Sequence, residues 1–154
     1  MTTSTSLNLQ ALLKTATART GLDRLHRTVS GLSPSAKALA VAAAAHADPR
    51  GVVLVVTASD GELEGLVEDV AFFLSAMEGL SEAACERVVL PFPSHEVDPY
   101  RGMSPHGGVL SARARALHAL ASRSARVVVA SAPALLPRVS QPERLLQAAI
   151  VLRP

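Results

Sequence analysis

Three short aliphatic runs constrain this chain more than anything else in it. They are Gly51-Val52-Val53-Leu54-Val55-Val56-Thr57, Arg87-Val88-Val89-Leu90 and Arg126-Val127-Val128-Val129-Ala130-Ser131. Successive positions in each are apolar, which is the pattern of a strand buried on both faces. The segments between them carry helical spacing. Strands that alternate with helices are joined by crossovers, and the crossovers place helices on both faces of a parallel sheet. The pattern predicts a three-layer α/β domain with a mostly parallel sheet. Gly51–Thr57, the longest of the runs, is expected to be a central strand, and the second run is expected to end at Pro91, which lacks an N–H for a sheet ladder.

The rest of the chain fills in around these strands. Residues 1–6 are Ser/Thr-rich and read as a disordered lead, followed by a single domain over 7–154. Leu9, Leu12 and Leu13 share one face of a helix predicted over Leu7–Ala18, with Gly21 as its stop. Arg24–Ser30 is a short extended candidate. Gly31–Lys37 forms a turn into an Ala-rich helix that runs to about Ala47, and Asp48-Pro49-Arg50-Gly51 is a turn. Ser59-Asp60 is placed to cap a helix over Glu62–Met77. Further helices are expected over Gly107–Ser122 and from Gln141 towards Val151, with a short turn or helix at Ala132–Pro137. The abrupt end at Arg153-Pro154 suggests a fragment of a longer multidomain protein.

Composition narrows the classes. Aromatic residues are 3% of the chain and Trp is absent, so Ala, Val and Leu must build the core. The single cysteine, Cys85, excludes an internal disulfide and reads as an inert, partly buried thiol. A net charge of +2 is too small to argue for nucleic acid. The longest apolar run, Ala38–Ala45, is too short to cross a bilayer. A cytoplasmic protein with no membrane partner is the expectation.

Gly31-Leu32-Ser33-Pro34-Ser35-Ala36-Lys37-Ala38 lies where a phosphate-binding P-loop belongs, between an extended segment and a helix. That motif needs a second glycine before its lysine and a hydroxyl after it, so that backbone N–H groups wrap phosphate and the hydroxyl binds magnesium. Gly31 and Lys37 are in place. Ala36 stands for the second glycine, Ala38 stands for the hydroxyl, and Pro34 removes an N–H. From these residues alone the loop reads as an ordinary Ser-capped turn, with a relic nucleotide loop and no bound cofactor as the alternative.

Other constellations carry less. His95, Glu96 and Asp98 alternate along an extended loop, which points neighbouring side chains to opposite sides, and His106 and His118 have no defined metal-ligand spacing to them. No metal site and no catalytic residue follows. Ser33, Ser94, Ser104 and Ser131 lie near strand ends without a nucleophile elbow. Arg113, Arg115, Arg123, Arg126 and His118 make a basic segment that reads as a solvated helix face; its functional alternative is contact with a phosphate backbone or an acidic partner. Glu62, Glu64, Glu68 and Asp69 favour the dipole at a helix start.

The loop Phe92-Pro93-Ser94-His95-Glu96-Val97-Asp98-Pro99-Tyr100, with Ser104-Pro105 and a helix that carries Arg113, is the most specific motif. Phe92, Pro93, Glu96, Pro99, Tyr100, Ser104, Pro105 and Arg113 match a signature of the bacterial transcription-repair coupling factors, and Leu135-Leu136-Pro137-Arg138-Val139 is similar to a turn that follows in that family. The resemblance covers residues 20–154. His95 replaces the family's Trp and Asp98 its Leu. The resemblance implies an ATPase-like domain similar to the first domain of UvrB, with a decayed nucleotide site, serving as a non-catalytic N-terminal scaffold. In such a parent, an ATP-dependent DNA translocase, contacts with UvrA, RNA polymerase and DNA, and the ATP- and magnesium-using motor, lie beyond Pro154. An independent small α/β protein that binds a nucleotide or phosphate through Gly31–Lys37 is the alternative.

Overall fold

β3, Val127–Ser131, is the centre of a three-stranded parallel sheet ordered β1-β3-β2, where β1 is Val53–Thr57 and β2 is Val89–Phe92. This computed structural model describes residues 8–22, 28–97 and 102–150. Pairing runs Val53↔Val127 to Thr57↔Ser131 on one side of β3 and Val89↔Val127 to Phe92↔Ala130 on the other. All five residues of β3 are buried.

Six helices surround the sheet among the described residues: α1 Leu9–Thr20, α2 Pro34–Ala47, α3 Leu63–Glu78, α4 Glu82–Val88, α5 Gly107–Ala121 and α6 Pro142–Ala148. On one face, Val53, Val55, Val89, Val127 and Val129 pack against Ala38, Val41, Ala42 and Ala45 of α2 and Val70, Leu74 and Met77 of α3. The small alanines let α2 approach α3 closely, which is how a core without Trp fills its volume. On the other face, Leu90, Phe92, Val128 and Ala130 pack against Ala116 and Ala119 of α5. The layers are therefore helix, sheet, helix, as the alternating pattern predicts.

β1 departs from that reading. It is an edge strand, and its second face is bare: Leu54 and Val56 are 55% and 51% exposed. α5 spans β2 and β3 and stops short of β1, so the register partners Val128 and Ala130 are covered while Leu54 and Val56 are not. An all-apolar run marks a strand that tolerates burial on both faces; it does not say which neighbour supplies the cover.

Other boundaries move for identifiable reasons. Ser81 caps α4 by accepting from the Ala84 amide (3.3 Å), so Arg87 and Val88 finish a helix and β2 starts at Val89. β2 then continues through Pro91, which is tolerated because β2 is an edge. Gly21 closes α1 in the left-handed region (φ 67°), yet of the three leucines on the expected face only Leu13 is buried; Leu9 and Leu12 face out. A turn of 3-10 helix, Asp60–Glu62, precedes α3, and the Ser59 side chain does not cap it. The extended candidate Arg24–Ser30 falls partly outside the described residues, and its described part, 28–30, has no regular structure.

The amino end of the sheet is locked by Arg126. Its guanidinium donates to both carboxylate oxygens of Glu78 (2.9 and 3.2 Å) and to the Ala45 carbonyl (2.5 Å), while His46 Nδ1 lies 3.1 Å from Glu78 Oε1. Its amide donates to Val88 O and its carbonyl accepts from Val53 N, both at 2.9 Å. One residue thus ties α2, α3, the end of α4 and the start of β1 to the start of β3. Arg126 and Arg113 are not part of a solvated face: the first has a side chain 16% exposed and the second is buried.

Candidate functional site at the carboxyl ends of the strands

In a parallel α/β sheet, ligand-binding groups gather beyond the carboxyl ends of the strands. Here that edge brings together Asp60, just after β1, Ser94, just after β2, Ser131, the last residue of β3, and Arg113 of α5. Asp60 Oδ1 accepts from the Ser94 amide (2.8 Å) and Oδ2 from the Ser94 hydroxyl (2.5 Å). The Ser131 hydroxyl is fully buried with no partner at hydrogen-bonding distance. Burial pushes the Asp60 carboxyl up; the Ser94 hydroxyl and amide, the Ser131 hydroxyl and the Arg113 charge outweigh it, and the net shift is downward.

Arg113 is the other half of this edge. Its guanidinium sits 4.0 Å from the Phe92 ring centre, donates to Pro93 O (2.6 Å) and reaches Ala134 O with both terminal nitrogens (3.3 and 3.4 Å). Burial holds its pKa below the ordinary arginine value, and the Asp60 charge opposes that. The loop that leaves β2 is therefore clamped at its first two residues, Pro93 by Arg113 and Ser94 by Asp60. Helix spacing gave no sign of the Arg113 role. The Asp60–Ser94 pair had no sequence signal either, since 34 residues separate the partners.

Beyond the clamp the loop borders a crevice of about 710 Å³ lined in part by Ser94, His95, Glu96, Pro105, Pro133 and Leu136. Glu96 is exposed and takes a left-handed conformation (φ 56°), and Ser104 is exposed. Asp98, Pro99 and Tyr100 lie outside the described residues. Of the signature residues, the structure brings Phe92, Pro93 and Arg113 into one contact; Glu96 and Pro105 share the crevice with its rim.

The Gly31–Ala38 turn lies at the start of α2. Gly31 is left-handed (φ 76°), and Pro34 occupies the first turn. The Ala36 amide donates to Ser33 Oγ (3.3 Å) and the Lys37 amide to Ser33 O (3.0 Å). Ser33 therefore caps the first turn of α2, and both amides are taken up within the helix start. Ala36 is half-buried, Lys37 is exposed, and Ala38 is fully buried in the α2–α3 core. Ser35 Oγ reaches Asp69 of α3 (3.4 Å).

Cys85 is buried on α4 near the Ala71 carbonyl, and burial, reinforced by the Glu78 charge, pushes its thiol pKa up, the opposite of what a nucleophile needs. Among the described residues no three His, Cys, Asp or Glu side chains are grouped so as to hold a metal ion. No described helix is long and apolar enough to cross a membrane. No protein-family profile, no curated protein and no solved structure matches this chain.

Proposed function

We propose that this chain is a non-catalytic scaffold region of a transcription-coupled DNA repair factor, built on a P-loop-like domain whose nucleotide site has decayed. One observation supports this above others: Arg113 meets Phe92 and Pro93, about twenty residues earlier in the chain and in the same repair-factor signature, in a single joint. A signature that is spent on bracing a loop belongs to architecture, not chemistry. The turn at α2 agrees with this. Its amides are occupied by Ser33, and Ala38 directs a methyl group into the core where a magnesium-binding hydroxyl would be required.

In this reading the parent is a cytoplasmic, ATP-dependent DNA translocase that displaces stalled RNA polymerase and recruits excision-repair proteins, UvrA among them. ATP and magnesium serve its motor, and residues 1–154 supply a rigid platform. Two measurements test the proposal together. Calorimetric titration of the chain with Mg-ATP is expected to give no saturable heat. Deletion of the coding segment for these residues is expected to abolish preferential repair of the transcribed strand after ultraviolet damage and to leave repair of the other strand intact. Saturable Mg-ATP binding that disappears in Lys37→Ala favours instead an independent nucleotide- or phosphate-binding protein, because Lys37 is exposed in the first turn of α2.

A further inference from the structure

A crevice of about 800 Å³ lies between α5, α6 and the outer side of β2. Its floor is aliphatic, from Leu90 of β2 and Leu145 of α6; its rim is basic, from Arg87, Arg115 and His118. No carboxylate lines it among the described residues. Arg87 and Arg115 are exposed, and Arg115 is steadied by donating to the Glu86 carbonyl (3.0 Å), which fixes the side chain without neutralising it. Ile150 is 87% exposed, an aliphatic side chain left open to water at the mouth of an apolar floor.

We propose that this crevice docks an acidic amphipathic helix of a partner protein. The charge pattern selects the sign: cations without a carboxylate at the rim attract an acidic face and repel a basic one. The aliphatic floor selects anchors spaced at i, i+3, i+4 and i+7, which one helix face supplies. An added strand is disfavoured, because Pro91 gives the free edge of β2 no N–H at the middle of the strand. Single-stranded nucleic acid is disfavoured as well, because no Phe, Tyr or Trp lines the crevice to stack a base, and the aliphatic floor offers a phosphate backbone nothing. A second copy is disfavoured by the shape of one acidic surface among the described residues: the groove lined by Glu68, Glu82 and Glu86 beside α3 and α4 is itself concave. The proposal rests on these residues alone and stands whether or not the repair-factor reading does.

The test uses the full chain and a fluorescein-labelled synthetic peptide of about 16 residues, long enough for a helix to be drawn out on binding. The peptide carries Leu at i, i+3, i+4 and i+7 and Glu at the outward positions. Anisotropy is expected to show saturable binding that weakens at least about tenfold in Arg87→Glu/Arg115→Glu and on replacement of the peptide's Glu by Lys. Both arginines are exposed, so an unchanged urea midpoint will show that the variant is folded. Leu145→Ser gives an independent check on the floor, with the same direction of change expected. The proposal is overturned by an absence of saturable binding, by equal binding of a peptide with scrambled Leu positions, or by displacement with duplex DNA at equal charge concentration. Sedimentation that shows a dimer abolished by Arg87→Glu/Arg115→Glu would overturn it too, in favour of a second copy as occupant.

Discussion

Asp60 and Ser94 are joined twice: the carboxylate accepts both the Ser94 amide and its hydroxyl, at 2.8 and 2.5 Å. This pair fastens the end of β1 to the end of β2, which β3 otherwise keeps apart in the sheet. With Arg113 on Pro93, it sets the direction in which the chain leaves β2.

Arg113 is a buried cation whose described partners are two carbonyls and a ring. Arg113→Ala removes those hydrogen bonds, strands the carbonyls of Pro93 and Ala134, and opens a void against Phe92. A loss of about 2–4 kcal/mol is expected by urea denaturation. Arg113→Lys should recover only part of it, because an ammonium cannot hold the same two carbonyls and stack on Phe92.

Glu78 and Arg126 should be strongly coupled. Glu78→Ala leaves the Arg126 guanidinium largely buried without its carboxylate, at an expected cost of about 2–4 kcal/mol. Glu78→Ala combined with Arg126→Met should cost less than the sum of the single changes. A double-mutant cycle that returns additive values would show that the ion pair does not lock the amino end of the sheet.

Acid sensitivity follows from the same carboxylates. Burial pushes Glu78 up, but hydrogen bonds from Arg126 and His46 and their charges bring the net below the ordinary value; Asp60 is lowered as well. A carboxyl whose folded pKa lies below its unfolded one binds fewer protons when folded. Its stabilisation is fully present above the unfolded value, about 4.3 for Glu and 3.9 for Asp, and is lost as the pH falls through the folded value. Stability measured from pH 7 to pH 2 should therefore drop below about pH 4.5. The drop should be shallower in Glu78→Gln.

The bare face of β1 predicts an asymmetry between register partners. Leu54 is exposed and Val128 buried, although they sit side by side in the sheet. Leu54→Thr should change stability by less than about 0.5–1 kcal/mol, whereas Val128→Thr should cost about 2 kcal/mol by burying a hydroxyl without a partner. Thermal melts of the two variants check this, and equal losses would mean that Leu54 is covered in solution.

Much of the fold was legible from particular residues. Val127–Ser131 reads as a buried strand and is one; Gly21 reads as a helix stop and is one; the Ala-rich segment after Ser33 is a Ser-capped helix. The misreadings share a cause. Arg87 and Val88 look like strand from their β-branched neighbours, but a Ser81 cap three residues ahead of the Ala84 amide starts a helix that carries through them. Ser59-Asp60 looks like a cap, but Ser94 captures the Asp60 carboxylate first. Local chemistry offers each side chain several partners, and the one that wins depends on what the sheet brings near.

Hydrophobic spacing, turn residues and capping hydroxyls act within a few positions of themselves, and so the chain alone determined the parallel α/β class, most of its helices and the Ser-capped turn into α2. The order of the strands, the bare edge at β1, and the meeting of Asp60 with Ser94 and of Arg113 with Phe92 were decided only by tertiary structure. Those depend on which apolar surface a crossover helix finds to cover, and on pairs 20 to 34 residues apart that no local pattern encodes.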